Sequence, residues 1–279
     1  MNSPILSDTT ASRYVMGHTD RERRRLALQG SILNPITEQL LRRARLAEGM
    51  SVLDFGCGVG DISLIAARLV GPAGWVTGFD LDGQALTVAR ARAAEAGLDN
   101  VDFVSMNLTE VNPGTQVDAI IGRHILIHMP DPLSALRTVF AALKPGGIAV
   151  FQEFDFTVLH PIYPRSPLGE RIKELFKAFF GQAAHGSIGT QLYHLVAQAG
   201  LRPVDCRAEY SICGGPDSDA YDWIAESLKT ILPRAEALGL ARASEWDVDM
   251  LAQRLREETV ANNGGITCPV MVGCIARKP

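Results

Sequence analysis

The sequence predicts an α/β domain built on a doubly wound parallel sheet. Three observations carry that expectation. From residue 51 to residue 153, short apolar and β-branched runs alternate with amphipathic helical stretches. Three glycines at alternate positions, Gly56, Gly58 and Gly60, separate the first apolar run from the first of those helices. The second run closes on an acid, Asp80.

The elements follow in order. Residues 1 to 12 carry no apolar periodicity and are expected to be loosely held. Thr19 or Asp20 can cap a helix over about 20–46, with a break expected at Asn34-Pro35, because proline removes a donor and clashes with the preceding turn. Leu26, Ile32, Leu33, Ile36, Leu40 and Leu41 suit one buried stripe on that helix. Arg21, Arg23, Arg24 and Arg25 read as a solvated face. Strands are expected near 51–55, 75–79, 101–105, 117–122 and 147–153, and helices near 61–70, 83–96 and 132–143. Pro161, Pro164 and Pro167 then mark an irregular connection. Beyond it the periodicity predicts helices over 168–180 and 188–199, a strand over 202–212, a helical stretch over 218–260 broken near Pro233, and a final strand from 270.

Composition excludes several classes. The chain has 279 residues, with 47% hydrophobic residues and a formal net charge of −4, so no global electrostatic attraction to nucleic acid is expected. The five cysteines, at 57, 206, 213, 268 and 274, include no Cys-x-x-Cys pair, and no histidine stands at zinc-ligand spacing. Reduced thiols, no metal and a cytoplasmic setting are the expectation. The amino terminus lacks a basic segment followed by an apolar one, and no apolar run has the length to cross a bilayer.

The glycine run is the chemical signal. Glycines directly after a strand let the backbone turn sharply and approach a ligand closely. At the end of the neighbouring strand, the Asp80 carboxylate can accept from two vicinal hydroxyls, and this pairing describes a nucleoside crevice at the strands' carboxyl ends. The dinucleotide fingerprint requires glycine where Asp61 stands. A carboxylate there opposes a pyrophosphate on the helix N-terminus. No phosphate-loop run occurs.

The run Asp54-Phe-Gly-Cys-Gly-Val-Gly60 with Asp80-Leu81-Asp82 resembles the first motifs of the class I S-adenosylmethionine-dependent methyltransferases. The stretches 100–108, 117–132 and 143–153 extend the likeness, which points to the ubiquinone/menaquinone-methyltransferase-like small-molecule branch. The resemblance implies a seven-stranded Rossmann-like sheet whose last strand is antiparallel, between the fifth and sixth. It also implies helical lid insertions over the sheet's C-terminal edge. The division expected is an N-terminal helical segment over 1–46, a cofactor-binding core over 47–156, and lid helices with the remaining strands over 157–279.

The same resemblance implies S-adenosylmethionine as cofactor and S-adenosylhomocysteine as product. Gly56, Cys57 and Gly58 would line its amino-acid end, Asp80 its ribose and Leu81 its adenine face. Asn107, where the family usually has aspartate, would accept from the adenine amine, and the Leu108 N–H would donate to the ring. Tyr14 and Gln29 would close over the methionine end, and Arg123 would meet its carboxylate. Asp54 reads as a brace of the loop or a partner of the cofactor amine.

His124 is the candidate base or acceptor-positioning residue, because a neutral imidazole is a competent base near physiological pH. His128 reads as a structural hydrogen bonder. Glu153, leaving the fifth strand beside the crevice, is the second catalytic candidate. The Asn/Asp/Ser-Pro-Pro-Tyr/Phe motif of exocyclic-amine methylation is absent. The expected reaction is methyl transfer to O, N or C of a small, largely apolar or aromatic metabolite, with no nucleic-acid or membrane partner and room for a homodimer. The alternatives are a cofactor-binding cyclase that transfers no methyl, and an RNA or protein methyltransferase.

Overall fold

A computed structural model describes residues 20–107, 110, 114, 116–158, 163–182 and 185–279, without the side chains of residues 20–24 and 27. The calls on Tyr14 and Leu108 lie outside the described residues. Five strands run first: β1 (Ser51–Phe55), β2 (Trp75–Asp80), β3 (Val101–Ser105), β4 (Val117–Arg123) and β5 (Leu143–Asp155). They are joined by α2 (Asp61–Val70), α3 (Gly83–Glu95) and α4 (Pro132–Ala141), and preceded by α1 (Asp20–Arg43). Then come α5 (Pro167–Phe180), α6 (Ile188–Gln198), β6 (Arg202–Glu209), β7 (Ile212–Gly214), α7 (Ala220–Ala237), α8 (Leu251–Ala261), β8 (Gly265–Thr267) and β9 (Val270–Arg277).

The seven-stranded sheet has the order β3-β2-β1-β4-β5-β9-β6. β9 is antiparallel to both neighbours, β5 and β6, and β1 to β5 are mutually parallel. The architecture is thus the expected one. The central strands are covered on both faces, so they read as unbroken apolar runs. On one face Ile148, Val150 and Ile275 pack with Leu40 and Leu41 of α1 and with Ile62, Ile65 and Ala66 of α2. On the other, Ala149, Phe151 and Cys274 pack with Leu136, Val139 and Phe140 of α4 and Leu192 and Val196 of α6.

A third cluster lies at the carboxyl edge of the sheet. It joins Leu33 of α1, Phe154 and Met271 at the β5/β9 margin, Phe156 just beyond β5, Leu175 and Phe176 of α5, Tyr221, Trp223 and Leu228 of α7, and Leu251 and Leu255 of α8. Each such side chain contributes about 1.5–3 kcal/mol by leaving water, so the helical layer is held to the sheet by burial and not by a hinge loop alone. Among the described residues no helix is long and apolar enough to cross a membrane.

Three local expectations are corrected. α1 runs unbroken through Pro35. The proline ring faces solvent, and the turns on either side stay buried through Leu33, Thr37 and Leu40. Packing therefore offsets the lost hydrogen bond. The break expected at Pro233 falls instead after Ala237, where Gly239 takes a positive φ of 70°. Arg25 is not on a solvated face; it is 5% exposed. Truncation of the fully buried Leu228 to alanine should lower stability by about 2–5 kcal/mol. Urea unfolding followed by tryptophan fluorescence checks this, and a loss under 1 kcal/mol would show that the cluster is loosely packed.

Candidate active site

The ends of β1, β2 and β4 converge on the 56–60 turn. Its glycines have different duties. Gly56 has φ +68°, and a Cβ there would collide with the Ile125 side chain, so the turn after β4 sits directly on it. Gly58 has φ +53° and open space where its Cβ would be. Among the described residues no atom lies within 4 Å of that position, which leaves room for a close ligand approach. Cys57 contributes only backbone there: its buried side chain packs into the α2–α3 layer with Leu64, Leu86 and Phe103.

Asp80 is tied to this turn. One carboxylate oxygen accepts from Gly58 N–H at 2.9 Å and the other from Asp82 N–H at 2.9 Å. An ionised carboxylate has about four acceptor sites, so both oxygens retain capacity for hydroxyl donors. Leu81 follows and is 67% exposed, an isolated apolar surface beside the acid. Asn107 lies beyond β3, with its backbone N–H donating to Glu110 Oε2 at 2.6 Å. An open glycine, an acid with spare acceptors and an exposed leucine fit a nucleoside with free sugar hydroxyls. These residues would hold S-adenosylmethionine.

Beneath the turn, Asp54 is completely buried. Ser63 donates to its Oδ2, and Oδ1 has no partner among the described residues. Burial pushes its carboxyl up to about 7, against the lowering effect of the Ser63 bond. Asp54 is placed as a brace.

Arg123 is almost fully enclosed. It donates to Asn34 Oδ1 at 3.0 Å and Thr37 Oγ1 at 2.9 Å on α1, and pairs with Asp61 Oδ2 at 3.3 Å. Asp61 also binds Arg92, at 2.7 Å. Thr37 in turn donates to Gln152 Oε1 at 2.7 Å. The guanidinium is thus committed to a network that fastens α1 to β4, β5 and α2, and its placement there is that of a structural clasp.

Gln29 is 5% exposed and bridges two groups. Arg25 donates to its Oε1 at 2.7 Å, and its Nε2 lies 3.2 Å from His124 Nδ1. His124 has φ +55°, uncommon for a non-glycine residue and costing about 1–3 kcal/mol. Its backbone N–H donates to Gln152 O at 2.9 Å, and its ring stacks on Phe154 with centroids 4.0 Å apart. Burial first, then Arg123, Arg25 and His128, hold the imidazole well below its ordinary range, so it is neutral. His128 is likewise pushed down to about 4 by burial and Arg25.

Glu153 lies under the same turn with no solvent exposure. Its Oε1 accepts from Ile125 N–H at 2.9 Å and Leu126 N–H at 2.8 Å, while Oε2 has no partner among the described residues. Burial outweighs those bonds and pushes its carboxyl up to about 8. The structure therefore sets Glu153 as the cap of the turn that carries His124, and does not bring it to the open side of the loop. Phe154, Trp223 and Arg25 belong to the same surroundings; the first two were not singled out by sequence, and Arg25 was read only as part of a solvated face. The available signal was the spacing of Arg25 and Gln29, four apart on one helical face.

The fold and the turn define a Rossmann-like nucleoside-binding domain with its crevice at the carboxyl ends of β1, β2 and β4. The sequence profile of a family described as a methyltransferase domain matches residues 46–200. The chain belongs to that family, the class I S-adenosylmethionine-dependent methyltransferases. A demethylmenaquinone methyltransferase of Listeria monocytogenes is 35% identical over 111 residues, 39% of this chain and 47% of that protein. The chain thus spans about half the length of the curated relatives it matches. Two solved structures share the fold. One is a SAM-dependent methyltransferase from Aquifex aeolicus, with TM-score 0.55, 15% identity and coverage of 94% of this chain and 100% of that one. The other is the [4+2]-cyclase SpnF, with TM-score 0.56, 23% identity and coverage of 88% and 81%.

Two predictions follow from this geometry. In the folded protein Glu153 keeps its proton to about pH 8, whereas the unfolded chain releases it near 4.5. Its contribution is therefore full below pH 4.5 and is lost as pH rises to 8, because the unfolded state binds fewer protons in that window. Glu153→Gln keeps the two accepted N–H bonds. Its stability relative to the parent should rise with pH from 5 to 8, by at most about 1.4 kcal/mol per pH unit. Urea titrations at three pH values decide it; a constant offset would show Glu153 ionised. Asp61→Asn leaves the enclosed Arg123 without its counter-charge and should cost about 3 kcal/mol, while Arg92→Ala, at the rim, costs under about 1 kcal/mol. Thermal denaturation of the two variants gives the comparison.

Proposed function

We propose that the protein transfers a methyl group from S-adenosylmethionine to an O, N or C atom of a small, largely apolar or aromatic metabolite. When bound, the cofactor supplies an electrophilic methyl on a sulfonium sulfur. The single observation that carries the reading is the Gly58–Asp80–Leu81 arrangement, open at the glycine and equipped with spare acceptors for sugar hydroxyls. Asn107 would meet the adenine, and Gln29 would cover the methionine end.

The acceptor would lie against the aromatic wall of Phe154, Phe156 and Trp223, under α5, α7 and α8. An apolar wall favours an acceptor that loses little hydration on entry. The listerial relative is named for demethylmenaquinone, a quinone, and a planar oxygenated ring suits the wall described here. For catalysis the chain's own contribution is alignment and exclusion of water from the reacting groups. His124, stacked on Phe154, would contact the acceptor.

The second reading is a cyclase that binds the cofactor and transfers nothing; the fold neighbour SpnF is named as a [4+2]-cyclase. Stoichiometric release of S-adenosylhomocysteine with a methylated product separates the two. Calorimetry should give a saturable binding isotherm for both S-adenosylmethionine and S-adenosylhomocysteine. Asp80→Ala should weaken binding about ten- to a hundredfold, as expected for loss of hydrogen bonds to a charged acceptor. An isotherm unchanged by that substitution removes Asp80 from the cofactor site.

A further inference from the structure

Arg25 can only donate, so its bond at 2.7 Å sets Gln29 Oε1 toward the guanidinium and the amide nitrogen toward His124. That nitrogen also only donates, so His124 Nδ1 at 3.2 Å is the acceptor. In a neutral ring the proton then sits on Nε2. Nε2 is shielded from solvent and has no partner among the described residues. Trp223, 4% exposed, holds a second shielded and unpartnered donor, its indole Nε1. Both rings pack on the same side chain, Phe154: His124 at 4.0 Å between centroids and Trp223 at 6.2 Å. A buried donor without an acceptor is unfavourable unless a ligand completes it. An oxygen acceptor on a bound molecule would complete either donor.

We propose that His124 donates its Nε2–H to an oxygen of a planar aromatic acceptor molecule, with Arg25 and Gln29 as positioning residues that hold the donating tautomer. The proposal deepens the acceptor reading above and rests on it for the identity of the bound molecule. It replaces a base at Nε2 with a donor. The strained backbone at His124 is consistent with this: the turn is kept in a costly conformation that sets the ring on Phe154. It also predicts discrimination, since a site built to meet an oxygen rejects the analogue that lacks one.

The test uses the full chain in two arms. In the first, long-range proton–nitrogen correlation spectra of the labelled protein report the ring nitrogens. His124 should show a protonated Nε2 and bare Nδ1, and Gln29→Glu should move a proton onto Nδ1, because the carboxylate accepts from it. A protonated Nδ1 in the parent overturns the proposal. In the second arm, fluorenone and fluorene, a planar aromatic ketone and its hydrocarbon counterpart, are titrated by tryptophan quenching in the presence of S-adenosylhomocysteine. The parent should prefer the ketone by about five- to tenfold. His124→Phe keeps a ring on Phe154 and should lose that preference, while His124→Gln, with an amide N–H near the same position, should retain most of it. Equal affinity for the two probes, no binding of either, or an unchanged preference in His124→Phe overturns the proposal. Failure of the methyltransferase reading would show separately, as absent cofactor heat with the parent tautomer still as described.

Discussion

The ion pair between Arg123 and Asp61 is the interaction on which the site depends. Arg123 ends β4, Asp61 begins α2, and the same guanidinium holds Asn34 and Thr37 of α1. Three elements that share no turn are thereby fixed at one point. Without it α1 would still bury Leu40 and Leu41 against the sheet at its far end. Its near end, which carries Arg25 and Gln29, would keep its packing on α7 through Leu28, Ile32 and Leu33 and the Ser31–Asp219 hydrogen bond, but would lose the directional bonds of Asn34 and Thr37. A hydrophobic stripe specifies which face is buried, but tolerates small rolls and slides. Directional bonds to a planar guanidinium do not. The polar network therefore gives the site its register, and the apolar stripe gives the helix its affinity for the sheet.

The turn after β4 is the second constraint, and it is built from groups that would be costly singly. His124 takes a left-handed backbone conformation, Ile125 presses on Gly56, and Glu153 is enclosed beneath both. Each is tolerated because of the others. Gly56 has no Cβ for Ile125 to strike, and Glu153 accepts the N–H groups of Ile125 and Leu126 that the turn leaves unpaired. Those N–H bonds favour the ionised form, but burial outweighs them and keeps the carboxyl neutral. Acidic residues at the carboxyl end of a strand invite a catalytic assignment; here depth converts one of them into a cap.

Much of the architecture is legible in the residues. The runs at 51–55, 75–79 and 101–105, and the helix starts at 61, 83 and 132, coincide with the elements found. Strand periodicity and glycine position are local properties, and local chemistry determines them. Pro35 and Pro233 were read by the same local rule and the rule failed, because tertiary burial outweighed the missing hydrogen bond. The site divides in the same way. Gly58 and Asp80 are marked by spacing alone. The enclosure of Arg25, the commitment of Arg123 to α1 and the depth of Glu153 are products of chain segments far apart in sequence, and no short window contains them. Phe154 and Trp223 are apolar residues among many until the fold stacks Phe154 on His124 and Trp223 on Phe154.

Asp61 shows how one substitution in a glycine motif selects a ligand. Helix N-termini attract anions because their N–H groups are unpaired and the dipole is positive there. In α2 that field is already answered by the protein's own carboxylate, which is itself held by Arg92 and Arg123. A phosphate arriving at the 56–60 turn would meet a charge of its own sign at the position it needs. An uncharged sugar would meet Asp80, whose oxygens face the turn through Gly58 and still have room to accept. The turn is thus closed to pyrophosphate and open to a nucleoside without one. The same Asp61 that closes it anchors Arg123, so ligand choice at the turn and the seating of α1 over the crevice rest on a single side chain.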